Sequence, residues 1–332
     1  TALSRVQLAL DDVSAMQHDS KTRRFGLVSD MGRKSLEYRL LGPIEARREG
    51  DLVPLGTYKQ RALLALLLIN ANQVVSTDRI IDDLWGENAG RDRQNTLWVN
   101  ISGLRGALEP DRKKRTEGTI LLTRSPGYLL SIDPEKIDAT RFERLALEGR
   151  ALLEADPAAA SLALSEALAL WRGHALEEFI YESFAQAEIA RLEELRLTTV
   201  EDRISADLRV GRSRELIGEL EGLVRQHPLR ERLIGHLMLA LHRSGRQAEA
   251  LRAFGTLRTR LGEELGLEPS AEVAELEERI VLDDPSLRQA EAARMAGGRP
   301  EPGLSIRGYE LREKIGEGAL GSVYRAYQPA VG

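Results

Sequence analysis

Asn95, Trp98, Val99, Asn100, Ser102 and Arg105 share one short segment, Asn95–Leu108, in which Leu97, Ile101, Leu104 and Leu108 recur at spacings of four, three and four. That spacing predicts a helix with one apolar face turned to a core. The opposite face then carries Asn95, Val99, Ser102, Gly103 and Gly106, with Trp98, Asn100 and Arg105 on its flanks. Small and polar side chains there permit close entry into a major groove about 12 Å wide. Asn95 could pair bidentately with adenine, and Val99 could pack on a thymine methyl. Arg105 and the run Arg112-Lys113-Lys114-Arg115 suit phosphates, which position a protein without specifying sequence. Arg124 suits a phosphate or the minor groove. The chemistry open to this set is recognition of a nucleic-acid duplex.

Such a face needs elements to hold it. Leu36, Tyr38 and Leu40 alternate with Glu37 and Arg39, a strand period, and Gly42-Pro43 breaks the run. Tyr58–Asn70 reads as a buried Leu/Ala-rich helix that Thr57 can cap, and Ser76–Trp85 as a second helix with Ser76 or Thr77 at its cap. After the basic loop, Thr119–Ile132 reads as a hairpin with Pro126-Gly127-Tyr128 at its bend. Strands, three helices and a hairpin in this order make a winged reader of duplex DNA. From about Asp138 to Leu282 helix follows helix, joined by short turns such as Asp156-Pro157, Ser244-Gly245 and Glu268-Pro269. This suggests a tetratricopeptide-like solenoid, in which Ala240, Gly245 and Ala250 suit close helix crossing.

Composition narrows the classes. The chain has 332 residues, 42% hydrophobic and only 5% aromatic, and a net charge of −5. It has no cysteine, which excludes disulfides, thiol catalysis and Cys-based zinc sites. Its longest apolar run, Ala62–Ile69, is far short of the roughly 18 residues that span a bilayer. Neither that run nor the polar start suggests a membrane or secretory segment, so the expected location is cytoplasmic. Residues 35–133 hold 14 Lys and Arg against 13 Asp and Glu, with the positive excess gathered between Asp111 and Arg124. The five histidines show no metal-ligand spacing. His227 before Pro228 reads as a helix-end residue, and Glu263-Glu264 as a solvated face.

Near the C-terminus, Gly316, Gly318, Gly321 and Val323 fit G-x-G-x-x-G-x-V. A dinucleotide-binding loop would open a helix, whereas Ser322-Val323-Tyr324 is strand-like. Strand, loop, strand resembles the start of a serine/threonine protein kinase, whose glycines cover ATP phosphates. The ATP-pairing lysine, the catalytic Asp and the metal-binding Asp of that fold are absent, so the chain as given is expected not to be an enzyme. It needs no cofactor, ATP belonging only to a longer parent protein.

Other stretches carry a more specific likeness. Leu36–Leu41, Leu63–Leu68, Val75–Trp85, Asn95–Leu108 and Thr123-Arg124-Ser125-Pro126-Gly127-Tyr128-Leu129 resemble the OmpR-type winged helix-turn-helix. Leu170-Trp171-Arg172-Gly173, Pro228–Leu233, Met238–Leu251 and Glu264–Ser270 resemble the bacterial transcriptional activation domain. Together they resemble the Streptomyces antibiotic regulatory protein family over roughly residues 35–285. The family pattern has a basic residue where this chain has Gly103, which reads as one DNA contact fewer. The resemblance implies binding to direct repeats near promoters, recruitment of RNA polymerase and a homodimer on DNA.

The expected fold is mainly α with a smaller α+β part. An N-terminal extension (1–34) precedes a winged helix-turn-helix DNA-binding domain (35–133) and a tetratricopeptide-like activation domain (134–285). A linker (286–304) and a truncated kinase glycine-loop segment (305–332) follow. A phosphoacceptor receiver of about 100 residues or more does not fit into the first 34. The expected function is a sequence-specific transcriptional activator that binds double-stranded DNA and no membrane. The alternative is the N-terminal regulatory part of a serine/threonine protein kinase.

Overall fold

The computed structural model describes residues 36–86, 92–112, 116, 118–288, 305–306, 309–318 and 321–327. Three short strands, β1 (Leu36–Arg39), β2 (Glu45–Arg48) and β3 (Asp51–Leu52), form an antiparallel sheet in that order. The register pairs Tyr38 with Ala46, and both side chains are buried. Helix α1 (Tyr58–Ile69) starts with a reciprocal cap, in which Thr57 accepts from the Gln60 N–H and Gln60 from the Thr57 N–H. Its residues Ala62–Leu68 are all buried, so beyond its first turn the helix is enclosed on every side.

β4 (Val74–Ser76) leads into α2 (Thr77–Trp85), capped by Ser76. Then come α3 (Arg93–Leu108), β5 (Leu121–Arg124) and β6 (Gly127–Leu130). The second sheet has the order β4-β6-β5, which ties the hairpin to the start of α2. The Thr77 N–H and hydroxyl both donate to the Pro126 carbonyl, at 3.1 and 3.2 Å. Two sequence expectations shift here. Helix α3 begins at Arg93 rather than Asn95. The bend lies at Ser125-Pro126, and Gly127 is already in β6. A Cβ on Gly127 would stand 1.9 Å from the Val75 carbonyl oxygen, so the strand pairing itself requires glycine there.

Among the described residues seven α-helices follow: α4 (Asp138–Leu152), α5 (Pro157–Leu168), the long α6 (Ser183–Arg209), α7 (Ser213–Gln226), α8 (Glu231–Arg243), α9 (Gln247–Arg260) and α10 (Ala271–Val281). The fold is mainly α, a winged helix followed by a tetratricopeptide-like all-α part. His227 closes α7, and Glu263-Glu264 are exposed, as expected. Ala240 and Ala250 are buried between helices. Gly245 is not a crossing residue: its φ of +79° is the left-handed turn after α8, and open space surrounds it. Packing also runs past Pro285, since Leu287 is buried and its carbonyl accepts from the Arg243 guanidinium at 2.5 Å.

One hydrophobic core crosses residue 133. It joins Tyr38, Leu40, Leu41 and α1 to Phe142, Leu145, Leu176, Phe179 and Leu192 of the helical part. A second core runs from Ile204 to Leu287. The Asp138 carboxylate accepts from the Leu40 and Leu41 N–H groups at 2.7 and 3.2 Å. Burial pushes its pKa up, opposed by those two hydrogen bonds and by Arg172. Near the C-terminus, β7 (Ser305–Ile306), β8 (Tyr309–Gly318) and β9 (Gly321–Tyr327) make an antiparallel sheet. Gly316 pairs with Val323 and Gly318 with Gly321 across its hairpin. Among the described residues, no helix is long and apolar enough to cross a membrane.

Candidate nucleic-acid interface

Helix α3 is fastened from one side. Leu97, Ile101, Leu104 and Leu108 are at most 1% exposed. Its C-terminal carbonyls, Ala107 and Leu108, accept from the Arg48 guanidinium at 3.2 and 2.9 Å, a cation where the helix dipole favours one. The Glu109 carboxylate then accepts from the Thr119 N–H, the Thr119 hydroxyl and the Ile120 N–H at 2.5, 2.7 and 3.0 Å, fixing the root of the hairpin. Neither Arg48 nor Glu109 stands out in the sequence. A charged residue in a short strand or just after a helix gives no sign of a partner about ten or sixty residues away.

The far side of α3 is open. Asn95, Ser102 and Gly106 are exposed, Trp98 is 60% exposed and Val99 55%. Solvated apolar side chains of that size, flanked by small residues, form a surface that a groove could cover. The Asn95 amide donates to the Asp92 carboxylate at 3.0 Å, and the Asn100 amide donates back to the Thr96 carbonyl at 2.8 Å.

Two of the predicted contacts, and the glycine beside them, sit differently from the sequence expectation. Arg105 does not simply project outward. Its Nε donates to the Leu121 carbonyl at 2.9 Å, its Nη2 to the Thr123 hydroxyl at 2.8 Å, and its guanidinium lies 5.9 Å from the Tyr128 ring. It straps α3 to the hairpin. Arg112 donates to the Thr116 carbonyl at 2.5 Å. Gly103 is exposed, as expected of the open face, yet a Cβ there would stand 1.9 Å from Gln60 Nε2 in the first turn of α1. Its lack of a side chain makes room for the α1 cap. Arg124 is exposed on β5, opposite Gly127 in the strand pairing, and donates to the Thr123 carbonyl at 3.1 Å. Lys113, Lys114 and Arg115 lie outside the described residues.

The two parts of the chain match two domain models. Residues 52–130 match "Transcriptional regulatory protein, C terminal", and residues 137–281 match "Bacterial transcriptional activator domain". The chain is 39% identical over 256 residues to the regulatory protein DnrI of Streptomyces peucetius, covering 76% of this chain and 94% of that one. The chain belongs to the Streptomyces antibiotic regulatory protein family. It is also 38% identical over 254 residues to the regulatory protein AfsR of Streptomyces griseus, 76% of this chain but 25% of that one. It therefore spans about a quarter of that relative. A solved structure of Mycobacterium tuberculosis EmbR, in complex with a low-affinity phosphopeptide, has the same architecture, with a TM-score of 0.70 at 30% identity. The likeness covers 88% of this chain and 78% of that one. A member of this family is a DNA-binding transcriptional regulator of the activator type, and the open face of α3 lies within the matched C-terminal regulatory domain.

Proposed function

We propose that α3 enters the major groove with Asn95, Val99 and Ser102 toward the base edges and Trp98 and Asn100 beside them. Arg124 and the Arg112–Arg115 loop meet phosphates, while Arg105 straps α3 to the hairpin. The chain binds promoter repeats as a homodimer, and its helical domain recruits RNA polymerase. The whole process is cytoplasmic and needs no cofactor. The observation that carries this reading is the solvated stripe of α3, apolar and small residues together, framed on one flank by a hairpin that Arg105 holds in place.

A gel shift tests it, using a duplex selected from a random library by the unmodified chain. Ser102→Glu puts a negative charge on the stripe and abolishes the shift, while Arg124→Ala lowers the slope of log affinity against log salt by about 0.9. Undiminished binding by Ser102→Glu would show that α3 does not face the duplex. Sedimentation with duplexes carrying one or two copies of the selected site tests the dimer.

A further inference from the structure

The loop Leu170–Glu182, between α5 and α6, touches the DNA-reading part at two separate places. At one end the Arg172 N–H donates to the Leu41 carbonyl and the Leu176 N–H to the Leu40 carbonyl, both at 2.8 Å. The Arg172 guanidinium donates to the Pro43 carbonyl at 3.0 Å and pairs with Glu45 at 2.9 Å. At the other end the Glu178 carboxylate accepts from Arg61 Nε at 2.7 Å, and the Glu182 carboxylate from the Tyr58 hydroxyl at 2.6 Å. Phe179 is fully buried between the two ends, its ring 5.5 Å from that of Tyr58.

Tyr58 and Arg61 flank Gln60 in the first turn of α1. Gln60 Oε1 accepts from the Thr57 N–H at 2.8 Å, and its amide nitrogen fills the space over Gly103 of α3. A line of contacts thus runs from the helical domain to α3 through a single turn of helix. The apolar seam beneath it is non-directional and tolerates small slides. Hydrogen bonds at both ends of the loop have required angles and do not.

We propose that the Leu170–Glu182 loop is a positioning element for DNA reading, in which Arg172 fixes the strand end Leu40–Pro43, Glu178 and Glu182 fix the first turn of α1, and that turn sets the seat of α3 through Gln60. These are positioning residues: they act on α3 through α1 and touch no DNA. The inference rests on the reading role given to α3 above. Base contacts are discriminating only when donors and acceptors meet at hydrogen-bond distance, so a loosened seat blurs specificity before it weakens phosphate binding.

The chain has no cysteine, so Ser102→Cys on α3 and Ser165→Cys on α5 take spin labels at those two sites alone. Pulsed electron resonance on the full chain then gives the distance distribution between them, without DNA. Two further changes are each made in the labelled chain: Glu178→Ala with Glu182→Ala, and Tyr58→Phe with Arg61→Met. Each is expected to shift or broaden the distribution, with the circular dichroism and the thermal midpoint of α-helix loss little changed. In the unlabelled chain the same changes lower discrimination between the selected duplex and random duplex by about tenfold, with affinity for random duplex retained. A distribution that keeps its centre and width in both variants overturns the proposal. If the unmodified chain does not discriminate between duplexes, the reading role fails instead, and the distance measurement alone decides the positioning.

Discussion

Arg105 separates two accounts of the same residue, and Arg105→Ala distinguishes them. As a phosphate contact, it contributes to the salt dependence of DNA binding and little to folding. As a strap, it contributes to folding. The structure supplies the second magnitude. Two hydrogen bonds from a cationic donor reach the hairpin, one to the Leu121 carbonyl and one to the Thr123 hydroxyl. Such bonds are worth about 1.5–3 kcal/mol each when fully buried, and less where water competes. The first is partly buried and the second exposed. The pair together therefore contributes about 1–2 kcal/mol. Urea denaturation followed by circular dichroism measures it as a lower midpoint at constant slope. The companion measurement is a gel shift at several salt concentrations. The expected result is a destabilised protein whose salt slope changes by much less than the 0.9 or so lost with one phosphate contact. An unchanged denaturation midpoint together with a slope reduced by that amount would refute the strap.

Gly127→Ala is expected to destabilise the winged part by several kcal/mol, in line with overpacking against backbone, because the new methyl would overlap the Val75 carbonyl; urea denaturation reads it. Gly103→Lys is expected to fold with a loss of no more than about 1 kcal/mol, since only the end of the Gln60 side chain must move, and hydrogen exchange at the Thr57 amide reports whether the cap opens. His236 has its pKa pushed down to about 4, chiefly by burial and then by Arg232, so the fold holds it neutral. Its contribution is present above the unfolded value near 6.5 and is lost as pH falls toward 4. Between pH 7 and pH 4.5 it accounts for about 2–3 kcal/mol of lost stability, which His236→Gln removes from the pH profile of the urea midpoint. Phe142→Ala, in the shared core with its ring edge against Trp171 at 5.3 Å, is expected to cost about 3–5 kcal/mol and to lower the unfolding midpoints of the winged and helical parts together, as read by segment-resolved hydrogen exchange.

The elements were legible in the sequence where one periodicity dominated. The Leu97-Ile101-Leu104-Leu108 spacing placed the buried face of α3, and the Leu/Ala run placed α1. Side chains with two plausible partners were not legible. An arginine on the flank of a helix serves a phosphate or a carbonyl sixteen residues on equally well, and only the hairpin's position decides for Arg105. Glycines were ambiguous for a similar reason. Gly103, Gly127 and Gly245 are respectively a place for a neighbouring amide, a close strand approach and a left-handed turn. The seam between the two parts left no local trace, because its hydrogen bonds join residues about a hundred positions apart, as between Leu40 and Asp138. Leu170-Trp171-Arg172-Gly173 was visible as a motif, but its grip on Leu41 and Pro43 was not.

From Ala62 to Leu68 helix α1 has no wet side: strands, α3 and the hairpin cover part of it, and Phe179 and α6 of the helical domain belong to the same core. The reading part is therefore not a portable cassette. Cut free near residue 133, it would uncover the apolar surfaces of Tyr38, Leu40, Leu41 and the neighbouring leucines, and self-association would compete with folding. A chimera that borrows this chain's DNA preference must carry the helical domain at least through Leu192, and change partners only where the second core begins.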